Sequence, residues 1–257
     1  MPARLHHELR GSGPVVVLSH ALGCDLGMWH EVAELLAGRY TVLRYDQRSH
    51  GRSEIGTAPF TLDDMADDAA ALIRTVARGP VHFAGLSMGG MVAQALAVRH
   101  PALLQSIVIA NSASHYDEAA RALWQARVQT VRTQGMAAIA EGALQRWFTP
   151  TFRTDARRGA VRVQGLRVVL EQSDPQAYAA SCEAVAGIDF RASNARVACP
   201  TLVIAGTRDE ATPPALSQAI ASAIPGARLA SIEAAHLSAV EQPAAFAALL
   251  EAFWQRR

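Results

Sequence analysis

The sequence predicts an α/β fold, namely a mostly parallel, doubly wound sheet with an inserted helical lid. Short apolar runs rich in β-branched residues recur along the chain, and such runs are typical of strands buried on both faces. Segments with helical spacing of apolar residues separate most of them, which favours parallel pairing. Between 112 and 196 this alternation stops, and helix-like segments follow one another. We therefore expect a core domain of residues 1–111 and 197–257 and a lid, or cap, of residues 112–196.

The predicted strands are short and end in polar or glycine-rich loops. In chain order they cover residues 5–10, 15–18, 41–45, 80–84, 106–110, 201–205 and 227–232. The first turns at Gly11-Ser12-Gly13 and is expected at an edge of the sheet. The second is an uninterrupted run of the kind found in strands buried on both faces.

The predicted helices are marked by apolar faces and by signals at their ends. Thr61 opens a helix with Asp64 three residues later, an approximate capping box, and Pro101 ends the helix after residue 87. The apolar residues expected on the first helix are Met28, Val32, Leu35 and Leu36. In the lid, helices are expected over 120–131, 136–147 (before Pro150), 154–172 and from Asp174-Pro175 onward.

Length, composition and charge exclude several classes of function. The 257 residues, half of them hydrophobic, suffice for one large α/β domain. The net charge of +1, without blocks of like charge, gives no reason to expect nucleic acid or a membrane surface as partner. All 24 basic residues are arginine, so a lysine Schiff base and a Walker-type lysine are excluded.

The cysteines and the first residues bear on the cellular compartment. The three cysteines are far apart, which predicts neither a disulfide framework nor a zinc site. The first ten residues contain no apolar signal segment, and no apolar run approaches the roughly 20 residues that span a bilayer. We expect a cytoplasmic protein that acts on a small molecule, and the oligomeric state stays open.

The motif Gly85-Leu86-Ser87-Met88-Gly89 lies between a predicted strand and a predicted helix. A strand, a sharp turn and a helix around Gly-x-Ser-x-Gly form a nucleophile elbow. The glycines remove side chains that would clash in a turn this tight, which holds the serine in a strained conformation at a cost of about 1–3 kcal/mol. Because its hydroxyl then stands free at the carboxyl end of the sheet, Ser87 is predicted to be a catalytic nucleophile.

Two further catalytic candidates lie in loops at the carboxyl ends of predicted strands. Asp209 follows the sixth strand and His236 follows the last one, so the chain order is that of one known class of catalytic triad. His236 would take the proton of Ser87, and Asp209 would fix the tautomer of that histidine. An aspartate before a helix is often only a helix cap, so Glu210 and Asp117 remain as alternative acids.

Two backbone amides and two histidines complete the predicted site. The amides of Leu22, after the second strand, and Met88, at a helix start, are predicted to stabilise a tetrahedral oxyanion. His20 and His50 are expected to make structural hydrogen bonds in the loops of the site. The other histidines show no ligand spacing, so no metal is expected.

With these motifs the chain resembles the α/β-hydrolase superfamily over nearly its whole length, and more closely the 3-oxoadipate enol-lactonases of aromatic-compound degradation. The stretches that carry this resemblance are LSHALGCDLGMW (18–29), LRYD (43–46), GLSMGG (85–90), RWFT (146–149), CEA (182–184) and GTRD (206–209). The resemblance implies an α/β-hydrolase fold. It also implies hydrolysis, without a cofactor, of a small anionic enol-lactone to a 3-oxo-dicarboxylate in the β-ketoadipate pathway.

Three other features bear on this resemblance. The lid holds eleven arginines against eight acidic residues, which is compatible with an anionic substrate, and Trp147 is expected to wall the pocket. Ser49 replaces a glycine that similar loops have, so a different turn is expected there. The chain also begins at what resembles the second strand of the family's opening hairpin.

Other functions remain open at this point. A carboxylesterase, a perhydrolase or a carbon–carbon bond hydrolase would use the same triad, because function depends on the pocket rather than on the fold. A ligand receptor with slow turnover, built on the same scaffold, is the alternative from a different class. Substrate profiling and a measured turnover rate distinguish these alternatives.

Overall fold

The computed structural model describes residues 2–255, in which seven strands form one sheet. The strands are β1 (His7–Arg10), β2 (Val15–Ser19), β3 (Thr41–Tyr45), β4 (Val81–Leu86), β5 (Leu104–Ala110), β6 (Thr201–Gly206) and β7 (Arg228–Ile232). Their order across the sheet is β1-β3-β2-β4-β5-β6-β7. Only β1 is antiparallel to its neighbour. The predicted fold class, with β1 at the edge, is confirmed, and between residues 2 and 255 no strand precedes β1.

Helices connect the parallel strands, as the alternating pattern predicts. Those of the sheet region are α1 (His30–Leu36), α2 (Leu62–Val76), α3 (Met88–Arg99), α9 (Pro214–Ala223), α10 (Ser238–Glu241) and α11 (Pro243–Trp254). Between β5 and β6 lie α4 (Glu118–Gln134), α5 (Ala137–Trp147), α6 (Pro150–Thr154), α7 (Gly159–Glu171) and α8 (Pro175–Ala186). Short 3₁₀ helices cover Leu26–Trp29, Pro101–Leu103 and Asn194–Arg196. No helix among residues 2–255 is long and apolar enough to cross a membrane.

The core lies between the sheet and the helices packed on it. All six residues of β4 are buried, as expected of a central parallel strand. α1 packs against α11, and α2 packs against α3. Trp29, directly before α1, meets Phe246 of α11 with ring centroids 5.7 Å apart. The capping box of α2 is confirmed, because Thr61 and Asp64 each accept a hydrogen bond from the other's backbone N–H.

Two details of the helices differ from the predictions. Leu35 is about half exposed, because the first turn, Leu26–Trp29, is a 3₁₀ helix and the inner face of α1 is formed by Val32 and Leu36. Pro150 begins a separate short helix, α6, instead of only ending the one before it. Thr149 caps that helix with Pro150 at its first position, and α7 begins at residue 159 rather than 154.

The helices α4 to α8 form the inserted segment. The segment leaves and re-enters the sheet region at neighbouring points, since Phe190 donates a backbone hydrogen bond to Ser114 (2.7 Å) and an isolated bridge joins His115 to Asp189. Within the segment, α4 packs against α8. We propose that residues 112–196 act as the lid of the core domain.

Candidate active site

Ser87 lies at a sharp turn between β4 and α3. Its φ of 56° and ψ of −114° are strained for a residue with a side chain. The flanking glycines permit the turn, because a Cβ on Gly85 would lie 1.9 Å from the carbonyl oxygen of Gly89, and one on Gly89 would lie 2.1 Å from that of Ser19. The amide of Ser87 donates to the carbonyl of Ala110 (2.8 Å), which holds the turn on the sheet. The predicted geometry of the elbow is thus present.

Asp209 and His236 meet at the carboxyl ends of β6 and β7. His236 Nδ1 lies 2.9 Å from Asp209 Oδ2. The same oxygen accepts from Asn111 Nδ2 (2.9 Å) and Thr212 Oγ1 (2.7 Å), whereas Oδ1 accepts from the backbone N–H groups of Ala211 and Thr212 (2.9 Å each). The carboxylate therefore holds the imidazole from a fixed position.

The environment of Asp209 keeps this carboxyl group ionised. Burial by itself would raise the pKa of Asp209, but the positive charge and hydrogen bond of His236, together with the donors on Thr212 and Asn111, lower the pKa to about 2. An ionised carboxylate at this place favours the tautomer of His236 with its proton on Nδ1. Nε2 is then free to accept a proton.

Ser87 and His236 line one cavity of about 340 Å³ between the sheet region and the inserted helices. No hydrogen bond joins the Ser87 hydroxyl to His236 in the described part of the chain, and such bonds often form only when substrate binds. The other residues lining the cavity are Leu22, Tyr116, Ala120, Leu123, Trp124, Arg127, Arg146, Trp147, Tyr178, Glu210, Ala211 and Thr212. Trp147 lies in the wall as predicted, and its contact with a substrate stays a prediction.

The two amides predicted for the oxyanion lie beside this cavity. Leu22 is in its wall, and Met88 is the first residue of α3, directly after the serine. Neither N–H group has an acceptor within residues 2–255. Both are therefore free to donate to a ligand, as a helix N-terminus and the preceding loop allow.

His20 and His50 hold the loop that carries Leu22. His20 Nδ1 donates to the carbonyl of Ala21 (2.8 Å), and its Nε2 accepts from the amide of Gln47 (2.9 Å). His50 Nδ1 donates to the carbonyl of Arg48, and its Nε2 accepts from the amide of Gly23 (3.2 Å). Backbone partners of this kind fix both rings as neutral tautomers with the proton on Nδ1. The predicted structural role agrees with these bonds.

The loop around Ser49 makes a left-handed turn at a residue that is not glycine. Ser49 has a φ of 65°, a value that favours glycine. Its amide donates to the carbonyl of Glu54 (3.0 Å), and its hydroxyl accepts from the amide of Gly56 (3.1 Å). These bonds offset the strain of a side chain at this position.

Acidification is expected to destabilise the fold through the two neutral histidines. Burial lowers the pKa of His20 to about 4, and burial with the nearby His20 lowers the pKa of His50 to about 3. Because the folded pKa values lie below the unfolded value of 6.5, this stability is present above pH 6.5 and is lost as the pH falls toward 4 and 3. Urea unfolding at about pH 7 and about pH 5 should show a loss on the order of 3 kcal/mol. The variant His50→Gln should lose less stability over the same interval, and an equal loss would contradict this explanation.

Two arginines in the cavity wall form no salt bridge within residues 2–255. Arg127 on α4 stacks on Trp124, with its Cζ 4.7 Å from the ring centroid, and lies beside the buried phenol of Tyr178. Arg146 is at the end of α5. Within residues 2–255 neither forms a salt bridge, whereas several other arginines of the inserted segment pair with glutamate or aspartate. Burial and the charge of Arg127 lower the pKa of Arg146. With two arginines and one glutamate, Glu210, among its lining residues, the cavity wall carries a surplus of positive charge.

The alternative acids, Asp117 and Glu210, are not hydrogen-bonded to His236 within residues 2–255. Asp117 is exposed and caps α4 by accepting from the amide of Ala120 (2.8 Å). Glu210 is exposed at the cavity, beside Asp209, and makes no hydrogen bond to His236 in the described structure. Among residues 2–255, no group of three or more His, Cys, Asp or Glu side chains could hold a metal ion.

The sequence-based reasoning missed several residues of this site. Asn111 directly follows β5, and a polar residue at the carboxyl end of a buried strand was a signal that could have identified it. Thr212 had no such signal, because its role depends on the turn after Asp209. Nothing distinguished Arg127 and Arg146 from the other lid arginines, since their place in the cavity depends on tertiary packing.

The fold and the comparisons with known proteins identify the chain as a hydrolase. The chain belongs to the α/β-hydrolase family, whose family model, described as the alpha/beta hydrolase fold, matches residues 14–243. It is 38% identical to 3-oxoadipate enol-lactonase 2 of Acinetobacter baylyi over 95% of this chain and 89% of the relative. It is 27% identical to a putative carbamate hydrolase RutD of Azorhizobium caulinodans over 98% of this chain and 95% of the relative.

The crystal structure of the enol-lactonase from Burkholderia xenovorans LB400 superposes with a TM-score of 0.93 at 35% identity. The match covers 98% of this chain and 97% of that one. The resemblance to enol-lactonases is confirmed.

Proposed function

We propose that the protein hydrolyses a small anionic enol-lactone of the 3-oxoadipate type through an acyl-enzyme, in the cytoplasm. The observation that carries this proposal is the presence of two arginines without a salt bridge, Arg127 and Arg146, in the cavity that Ser87 and His236 also line. A half-buried guanidinium group without a salt bridge favours an anionic ligand, because the ligand replaces the hydration that burial removes. The relatives named 3-oxoadipate enol-lactonase support the same substrate class.

The first half of the reaction would form the acyl-enzyme. His236 Nε2 takes the hydroxyl proton of Ser87 while Oγ adds to the lactone carbonyl, and Asp209 stabilises the resulting imidazolium. The amides of Leu22 and Met88 donate to the oxyanion of the tetrahedral intermediate. When the ring C–O bond breaks, the enolate oxygen leaves, receives the proton from His236 and rearranges to the ketone.

The second half would release the acid. Water gives a proton to His236 and its oxygen adds to the acyl carbon, and collapse of the second tetrahedral intermediate returns the proton to Ser87. The product carries a ketone and two carboxylates. No step requires a metal or a cofactor. The imidazole of His236 carries each proton of the two acyl-transfer steps, and the enol becomes the ketone by losing its O–H proton to water and gaining a proton from water at carbon.

Substrate profiling tests this function directly. We expect kcat/KM on 3-oxoadipate enol-lactone to exceed that on a neutral lactone and on a p-nitrophenyl ester by at least about 100-fold, since two charge-assisted hydrogen bonds are gained. Comparable activity on the neutral substrates would favour a carboxylesterase instead. Activity on a carbamate, a peracid-forming reaction or a carbon–carbon bond would identify the corresponding hydrolase. Turnover near zero with every substrate would favour a receptor.

Replacing the cavity arginines should separate charged from neutral substrates. Arg127→Leu and Arg146→Leu are each expected to lower kcat/KM on the anionic lactone by about 10- to 100-fold, because a hydrogen bond to a charged group contributes about 1.5–3 kcal/mol. Hydrolysis of the neutral ester should change by less than about threefold, since it lacks the charge. Arg121→Leu, an exposed arginine on the same helix, is the matched control. Equal losses on both substrates would contradict the assignment of the anion site.

A further inference from the structure

Glu241 is a buried carboxylate that is not part of the proposed triad. It binds the loop that carries His236. Only 5% of its surface is exposed, and it ends the short helix α10. Its Oε2 accepts from the amides of Ala235 (3.1 Å) and Thr149 (3.3 Å), and its Oε1 accepts from the hydroxyl of Thr149. Within residues 2–255 it has no salt-bridge partner. A buried carboxylate that accepts hydrogen bonds only from neutral donors lowers the stability of the fold, which indicates that this glutamate has another role.

Glu241 binds the residue directly before His236. Ala235, whose amide it binds, precedes the histidine, and the amide of Leu237 on the other side donates to the carbonyl of Trp147 (3.0 Å). The amides of the residues before and after His236 are therefore both attached to the inserted segment. The amide of Ala235 is attached through Glu241, which also binds Thr149, and the amide of Leu237 is attached directly to Trp147.

The opposite side of the same loop is held from the sheet region. Asn111 Nδ2 donates to the carbonyl of Ala235 (3.4 Å) as well as to Asp209, and Asn111 Oδ1 accepts from the hydroxyl of Ser238 (2.6 Å). Both backbone polar groups of Ala235 are thus fixed. Glu241 binds the N–H group, and Asn111 binds the carbonyl. A catalytic base must be placed within a fraction of an ångström, and a misplacement of about 1 Å can cost about 100-fold in rate.

We infer that Glu241 is a positioning residue for His236, and that it joins the loop of the catalytic base to the inserted segment that walls the substrate cavity. The inference rests on the proposed role of His236 as general base. Arg158 strengthens the same junction, because its guanidinium donates to the carbonyls of Val240 (2.6 Å) and Glu241 (3.1 Å).

The test compares a variant that removes the acceptors with one that keeps them. Glu241→Met should lower kcat by about 10- to 100-fold with KM changed by less than about threefold, because His236 is displaced while the arginines remain. Glu241→Gln should restore activity to within about threefold of wild type. Its amide oxygen can accept from both backbone N–H groups, and its NH₂ can donate to the Thr149 hydroxyl. Glu233→Gln, an exposed glutamate of the same loop that pairs with Arg208, is the matched control and should change nothing.

A spectroscopic signature separates positioning from general stabilisation. The proton between His236 Nδ1 and Asp209 should give a far-downfield proton resonance in wild type and in Glu241→Gln, and a shifted or broadened one in Glu241→Met. Thr149→Val, which removes the hydroxyl donor to Glu241 and the side-chain cap of α6, should give a smaller change of the same kind if Glu241→Met does not fold. Wild-type kcat in Glu241→Met or, failing that, in Thr149→Val would overturn the inference. The inference would also be overturned if Glu241→Met had a lower melting temperature, Glu241→Gln did not restore activity, and the resonance were unchanged in Glu241→Met.

The same experiment keeps the two proposals apart. Ser87→Ala is assayed in parallel, and activity retained in that variant would contradict the proposed function whatever Glu241 does. Loss of activity in Ser87→Ala together with wild-type kinetics and resonance in Glu241→Met would contradict only the positioning role.

Discussion

Ser87→Ala is expected to abolish hydrolysis of every substrate while the fold is retained. Removing the nucleophile of a serine hydrolase lowers kcat by about 10⁶-fold, since no other group can form the acyl-enzyme. The small side chain fits the same turn, and Ser87 makes no side-chain hydrogen bond that the fold needs within the described residues. Steady-state kinetics measure the loss, and circular dichroism with thermal unfolding checks the fold.

Two controls make this result specific. Wild-type protein should be inactivated by a fluorophosphonate in a one-to-one reaction at Ser87, detected by mass spectrometry, and Ser87→Ala should not react. The variant should still bind the anionic substrate or its product, because the arginines are untouched. Hydrolysis by Ser87→Ala at more than about a hundredth of the wild-type rate would contradict the mechanism.

Asp209→Asn is expected to lower kcat by about 10⁴-fold, the loss seen when the aspartate of a serine-protease triad is replaced in this way. The hydrogen bonds around the carboxylate explain why. Oδ1 accepts from two backbone N–H groups, so the oxygen of an asparagine must occupy that place. Its NH₂ group then points at His236 Nδ1, which must accept a hydrogen bond and carry its proton on Nε2 instead. A histidine in that tautomer cannot take the proton of Ser87.

The variant also tests which acid serves the histidine. Asp117→Asn is the matched control, because asparagine keeps the helix cap of α4 and activity should stay at the wild-type level. The pH profile of Asp209→Asn should lose its normal inflection, since the remaining activity no longer depends on the same tautomer. High activity in Asp209→Asn together with a large loss in Glu210→Gln would assign the acid to Glu210.

Much of the fold follows from local patterns that tertiary contacts do not override. The apolar runs give the parallel strands, and the glycines on either side of Ser87 permit its φ of 56° because any Cβ there would collide with backbone. The Thr61–Asp64 capping box is likewise a local feature. Where prediction was wrong, as for Leu35, one turn of 3₁₀ helix shifted the buried face. Periodicity by itself does not reveal such a shift.

The sequence by itself determined the α/β class, the elbow and the candidates Asp209 and His236, because each depends on a residue type at a fixed place relative to a strand. Only the tertiary structure decided which arginines of the cavity wall lack a salt bridge, that Asn111 and Thr212 hold Asp209, and that Glu241 contacts the loop of His236. These relations join residues as much as 98 positions apart along the chain. Burial and pairing of a side chain depend on which elements pack together, and no local pattern specifies that packing.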